Sequence, residues 1–157
     1  MKSILPLLIA ASLALAGLAP AQDEHDPESR HDHAAGQGEL DLKLDDGQRW
    51  PSDESLRRGM RTMREAFEDH HRAFEDGALD REGASRLADA VRESVDFMLA
   101  NCELPPDADA ELHKLLAAAL GAAASLREDE DVDVGLHRLH EILGTYPEYF
   151  DDPGWEE

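Results

Sequence analysis

The chain has 157 residues, of which 36 are acidic and 15 are Lys or Arg, so its formal net charge is −21 at pH 7. A surface with this charge repels nucleic acid and anionic membranes, which excludes both as expected partners, and it concentrates cations. A metal ion or a basic protein partner fits the charge. A simpler explanation is that acidic helix faces keep the protein soluble.

The first 21 residues are typical of a signal peptide. Lys2 precedes an apolar run over residues 4–18, and small residues at positions 19 and 21 stand before Gln22. We predict cleavage after Ala21 and a periplasmic or secreted protein. No later apolar run approaches the roughly 20 residues that cross a bilayer, so no membrane insertion is predicted.

Residues 22–39 predict a disordered acidic arm, because they lack large apolar residues and are rich in charge and Gly. The arm contains His25, His31 and His33, a composition that suits loose metal binding. A tight amino-terminal copper(II) chelate is not predicted, since it requires His as the third mature residue and His25 would be the fourth.

Residues 40–52 predict an extended strap followed by a turn. Three leucines alternate with polar residues in the period of a strand that is packed on one side: Leu40, Leu42 and Leu44. No second strand is apparent, so we expect the strap to lie unpaired along the helices. Asp46-Gly47 predicts the turn, and Trp50 is expected to cover the end of the helices.

Residues 53–150 predict four helices. In the first, apolar residues and one histidine recur every three or four positions, as in a coiled-coil seam: Leu56, Met60, Met63, Phe67, His70 and Phe74. Gly77 is expected to end this helix. The second is predicted to run from Asp80 to Cys102, ahead of the Pro105-Pro106 pair.

The third predicted helix begins near residues 107–109, and the fourth near Val132. The fourth is expected to break at Gly144 and Pro147. Short connections force neighbouring helices antiparallel, so the predicted fold is all-α, an up-down-up-down four-helix bundle preceded by the strap. Residues 151–157 are assigned to an acidic tail.

A soft donor set is predicted at one end of this bundle, where the first helix begins and the second ends; we call it the Cys end. With a rise of about 1.5 Å per residue, antiparallel helices place four donors within roughly 10 Å in height: Met60, Met98, Cys102 and His113. Thioethers, a thiol and an imidazole suit copper(I), so we predict a copper(I) site there. Met and free Cys are also common core residues, so a core without metal fits the same pattern.

His70, His137 and His140 form a second candidate level at the opposite end. His70 lies in the predicted seam, where a buried imidazole needs a partner. His140 fits as this partner, either through a structural hydrogen bond or through a shared metal such as zinc.

Two stretches resemble a family of small exported four-helix proteins of Gram-negative bacteria, some associated with metal handling: LKLDDGQRWPSDESLRRGM and NCELPPDADAELH. The resemblance covers about residues 40–143 and implies location and fold more than activity. The chain also loosely resembles periplasmic b-type four-helix cytochromes, which ligate haem with Met from helix one and His from helix four. Met60 and His140 would be the matching positions. Covalent haem is excluded, because the sequence contains no C-x-x-C-H.

No paired catalytic carboxylates, Ser-His-Asp order or phosphate loop stands out, so an enzyme is not predicted. We predict a periplasmic binding protein for a soft metal, with copper(I) as the preferred ion. The alternatives are a structural or partner-binding bundle without metal, in a stress or chaperone-like role, and a b-haem electron-transfer protein.

Overall fold

The structure, a computed structural model, describes residues 40–128 and 131–155. The predicted signal peptide and the predicted arm with its three histidines lie outside the described residues.

Four helices account for most of the described chain. They are α1 (Glu54–Glu75), α2 (Arg81–Asn101), α3 (Pro106–Ser125) and α4 (Val132–Tyr149). Asp53 and Asp80 cap α1 and α2, because each carboxylate accepts a hydrogen bond from the backbone N–H three residues later, at 2.7 and 2.8 Å. The chain leaves α1 through Gly77, whose φ of +67° favours glycine.

Each helix packs against the next, and α1 also packs against α4. The apolar faces of all four helices meet in one core, with Met60, Leu87, Leu115 and Leu139 fully buried. The predicted all-α, four-helix fold is confirmed, and the up-down order of the helices stays a prediction. Within the described part of the chain, no helix is both long enough and apolar enough to cross a membrane.

The fourth helix runs past its predicted break. Gly144 and Pro147 both lie inside α4, so the predicted end at these residues is wrong. Proline removes a backbone donor and disfavours a helix interior. Pro147 stands in the last turn, however, and that turn is held by buried Tyr146 and by Phe150, whose rings stack with centres 5.6 Å apart. Tertiary packing therefore outweighs the local preference.

The segment before α1 differs from the predicted strap. Leu42 is buried but Leu44 is 41% exposed, so the leucines do not share one buried face. The expectation of an unpaired strap is also wrong at its end, where β1 (Trp50–Pro51) pairs in parallel with β2 (Phe150–Asp151). This pairing ties the residues just before α1 to the residues just after α4.

A buried carboxylate fastens the same segment to α3. Glu111 accepts a hydrogen bond from the backbone N–H of Lys43 at 2.9 Å and another from the amino group of Lys114 at 2.9 Å. Burial raises the pKa of Glu111, but the hydrogen bonds from Lys114 and Lys43 outweigh burial, so its pKa lies below the ordinary value.

We expect Glu111→Gln to lower the free energy of unfolding at pH 7 by about 1–3 kcal/mol, because charge-assisted hydrogen bonds are weakened. The folded pKa of Glu111 lies below the unfolded value of about 4.5, so this stabilisation is present above the unfolded value and disappears as the pH falls through the folded value. Urea unfolding at neutral and strongly acidic pH measures the effect.

The stability gap between parent and Glu111→Gln should therefore shrink in acid. Glu65→Gln, at an exposed position of α1, is the control and should match the parent at both pH values. A gap that stays the same in acid would contradict the assigned role of Glu111.

Candidate functional site

At the Cys end, the thiol of Cys102 is already hydrogen-bonded to another side chain. Cys102 caps α2, is half-buried and donates a hydrogen bond to the carboxylate of Asp53. Burial raises the pKa of the thiol, and the charges of Asp53 and Asp109 raise it further, to about 12. Asp53 also accepts a hydrogen bond from the backbone N–H of Glu103 at 2.6 Å, so it joins the start of α1 to the end of α2. At neutral pH the thiol is protonated, whereas a metal ligand is a thiolate.

The two predicted methionine ligands are core residues. Met60 and Met98 are both fully buried. Met98 fills the space that a side chain at Gly59 would need, since a Cβ there would lie 2.7 Å from the Met98 sulfur. The backbone N–H of Cys102 donates to the carbonyl of Met98 at 2.9 Å, so these two residues share one helical turn as predicted.

The fourth predicted ligand is directed towards its own helix. Nδ1 of His113 donates to the carbonyl of Asp109 at 2.8 Å and lies 3.4 Å from the Asp109 carboxylate, while the side chain is 56% exposed. The copper(I) site at Met60, Met98, Cys102 and His113 stays a prediction, and the protonated thiol weighs against it.

Of the second predicted level, only His140 belongs to a cluster of aromatic rings. Nδ1 of His70, which is partly buried, donates to the carbonyl of Ala66 at 2.7 Å. Phe74 is 37% exposed, so its assignment to an inward seam is wrong. His137 is 73% exposed on its side chain and pairs with Glu141 at 3.3 Å.

A hollow of about 440 Å³ lies between α1 and α4. We call it the imidazole pocket, because two imidazole rings stand in it: His71 of α1 and His140 of α4. Their ring centres are 6.3 Å apart and their planes are 20° apart. The ring of buried Phe67 lies 5.0 Å from His71 and 5.9 Å from His140, between centres, so the three rings form a triangle.

The segment after α4 supplies another wall of the imidazole pocket. Trp155 is held by Arg64, whose guanidinium donates to the Trp155 carbonyl and lies 4.5 Å from the centre of its ring. On the α1 side, Nδ1 of His71 lies 3.8 Å from the carboxylate of Glu75, one turn further along the helix. The pocket thus combines apolar walls with imidazole nitrogens, and a carboxylate lies near His71 at a distance longer than a hydrogen bond.

Sequence reasoning missed His71, Trp155 and Arg64. The four-residue step from Phe67 to His71 and the three-residue step from Phe67 to His70 both place the histidine on the same helix face as Phe67. Periodicity alone therefore does not choose between His70 and His71. Trp155 stands in the stretch assigned to an acidic tail, and no local sequence pattern predicts its contact with α1. Across residues 40–128 and 131–155, no group of three or more His, Cys, Asp or Glu is placed to hold a metal ion.

No protein-family model, curated protein or solved structure matches the chain.

The environment of Cys102 predicts an inert thiol. We expect the folded protein to react with iodoacetamide at pH 8 at least roughly tenfold more slowly than the unfolded chain in urea, because only the thiolate attacks and a pKa of about 12 leaves little thiolate. Asp53→Asn should speed the reaction, since it removes the charge that raises the pKa most after burial itself. Folded and unfolded protein reacting at the same rate would contradict this assignment.

Proposed function

We propose that this protein is an exported, non-catalytic copper(I)-binding protein, and that the ion lies between His71 and His140 in the imidazole pocket. The single observation that carries the proposal is the 6.3 Å separation of the two ring centres. A metal–nitrogen bond of about 2.0 Å puts an ion roughly 3 Å from the centre of its imidazole ligand, so two imidazoles on opposite sides of one ion span about this distance.

A site with two imidazole donors favours copper(I) over other metals. Copper(I) has a filled d shell and accepts two-coordinate, linear geometry, whereas zinc usually takes four ligands and copper(II) a square-planar or tetragonal set. Only His71 and His140 offer imidazole nitrogens in the imidazole pocket, and the described residues hold no larger metal-binding group. The donor count therefore supports copper(I), which is the ion preferred from the sequence, at a different pair of residues.

The position of Phe67 favours a bare metal ion over haem as the group bound by the two histidines. The triangle of rings places the midpoint of the imidazole pair about 4.5 Å from the centre of Phe67, a distance at which a cation is attracted to an aromatic face. Because Phe67 is nearly equidistant from both imidazoles, its ring occupies the plane that a porphyrin ligated by both histidines would need. This geometry argues against haem held by both imidazoles and supports a bare ion.

The pocket lining is mixed in charge, with Arg64 and Arg72 beside Glu68 and Glu75, and one of these carboxylates lies near a proposed ligand. A histidine that binds a metal commonly donates its second ring N–H to a carboxylate, which fixes the ring and strengthens the ligand. The Glu75 carboxylate lies 3.8 Å from Nδ1 of His71, which is longer than a hydrogen bond but is on the side of this nitrogen, and Nε2 is left for the ion. The net charge of −21 further raises the concentration of cations near the protein.

Export and the absence of catalysis rest on the sequence. The pattern of the first 21 residues favours a cleaved signal peptide and a periplasmic location, and no paired catalytic carboxylates, Ser-His-Asp order or phosphate loop stands out in the sequence. The alternative of a metal-free, partner-binding bundle would be favoured by a protein that folds normally and takes up no copper.

We expect the reduced protein without its signal peptide to bind one copper(I) in anaerobic competition with a chromogenic chelator. His71→Phe and His140→Phe should each weaken binding by roughly a hundredfold or more, because each removes one of two ligands while keeping a ring in the pocket. His25, His31 and His33 are replaced by Ala throughout, so that the arm does not contribute.

Two variants serve as controls in the same assay. His137→Phe removes an exposed imidazole from α4, and Cys102→Ser removes the thiol of the Cys end. Both should bind copper(I) like the parent. If Cys102→Ser loses binding while the two pocket variants keep it, the site lies at the Cys end and the assignment to the imidazole pocket is wrong.

A further inference from the structure

We infer that copper(I) leaves the imidazole pocket by direct transfer to a thiol-bearing acceptor, which binds the ion before the histidines release it. This inference rests on the proposed function, since it concerns the same site. It adds the chemical class of the partner and the order in which bonds are exchanged.

One side of the proposed ion is closed and the other is open. Buried Phe67 covers the core side. On the other side, the hollow of about 440 Å³ is much larger than a single ion requires, and it falls in the range of small-molecule sites. His140 is exposed. A third ligand can therefore reach a linear two-coordinate ion from the side opposite Phe67.

Gly144 keeps that approach open. It lines the imidazole pocket on α4, and a Cβ built on it would meet no atom within 4 Å. A side chain at position 144 therefore has room to project into the hollow without displacing a neighbour.

The chemistry of exchange favours sulfur as the incoming ligand. Copper(I) is soft and binds thiolate more strongly than imidazole, so a thiolate sulfur forms a bond to the ion and gives a three-coordinate state. The bond from copper to a histidine nitrogen then breaks, and the freed imidazole accepts the proton that the thiol lost. Copper stays in the +1 state throughout, so no oxidant or reductant is required.

The two histidines differ in how firmly they are held, which sets the order of release. The ring of His71 is partly buried and lies 5.0 Å from Phe67, whereas the ring of His140 lies 5.9 Å from Phe67 and this residue is exposed. The nitrogen of His140 therefore leaves first. His71 holds the ion until a second thiolate replaces it.

The test is a stopped-flow experiment on the copper-loaded protein, with glutathione as the thiol and with the three arm histidines replaced by Ala. The near-ultraviolet absorption of the copper–thiolate bond reports transfer. We expect the rate to rise in proportion to glutathione concentration, because the thiol takes part before release. A rate that is independent of glutathione would show that copper leaves first, and it would overturn the inference while leaving the proposed function intact.

Gly144→Leu tests the route of entry. It should slow transfer by roughly tenfold, because its side chain enters the open side of the pocket, and the copper(I) affinity of the variant is measured separately so that slower transfer is distinguished from weaker binding. Gly121→Leu is the matched control on α3, since a Cβ there also meets no atom within 4 Å, and it should transfer copper like the parent.

The experiment distinguishes a wrong entry route from a failure of copper(I) binding. Transfer by Gly144→Leu at the parental rate would overturn the proposed route. If the parent protein takes up no copper(I) in the loading step, the proposed function fails, and the inference fails with it.

Discussion

The contact between Arg64 and Trp155 is the interaction on which the imidazole pocket depends. It joins α1 to the segment that follows α4, and it turns an otherwise open groove between two helices into a hollow with an aromatic wall. Trp155 is fixed from its other side by the ring of Tyr146, whose centre lies 4.7 Å away. Tyr146 in turn donates a buried hydrogen bond to Asp152 at 3.2 Å, and burial raises the pKa of its hydroxyl. The site is thus held by the end of the chain as well as by the helices.

The two ends of the molecule that carry candidate ligands are built differently. At the Cys end, the donors are satisfied by protein groups: Cys102 by Asp53, and His113 by Asp109. A metal would have to displace a proton and break these contacts. In the imidazole pocket, the rings of His71 and His140 contact mainly other rings and stand next to solvent-accessible space. Metal binding in the imidazole pocket therefore costs less free energy than metal binding at the Cys end.

The sequence predicts the elements of this fold well where local signals are strong. Capping aspartates start α1 and α2, and Gly77 follows the end of α1, as its conformational freedom requires. The extension of α4 beyond Pro147 could not be predicted, because it depends on the packing of Tyr146 and Phe150. The choice between His70 and His71 depends on where α4 lies around α1, which periodicity leaves open. Trp155 and Glu111 act through partners that are distant in sequence, so no local pattern reveals them.

In the proposed site, one copper(I) lies between two imidazoles. X-ray absorption at the copper edge of the loaded protein, with the three arm histidines replaced, tests it most directly. We predict a two-coordinate copper(I) spectrum with nitrogen neighbours at about 2.0 Å, the outer-shell pattern of imidazole rings, and loss of this pattern in His140→Phe. A dominant sulfur shell near about 2.3 Å would instead place the ion with Cys102 and the methionines, and it would contradict the imidazole site.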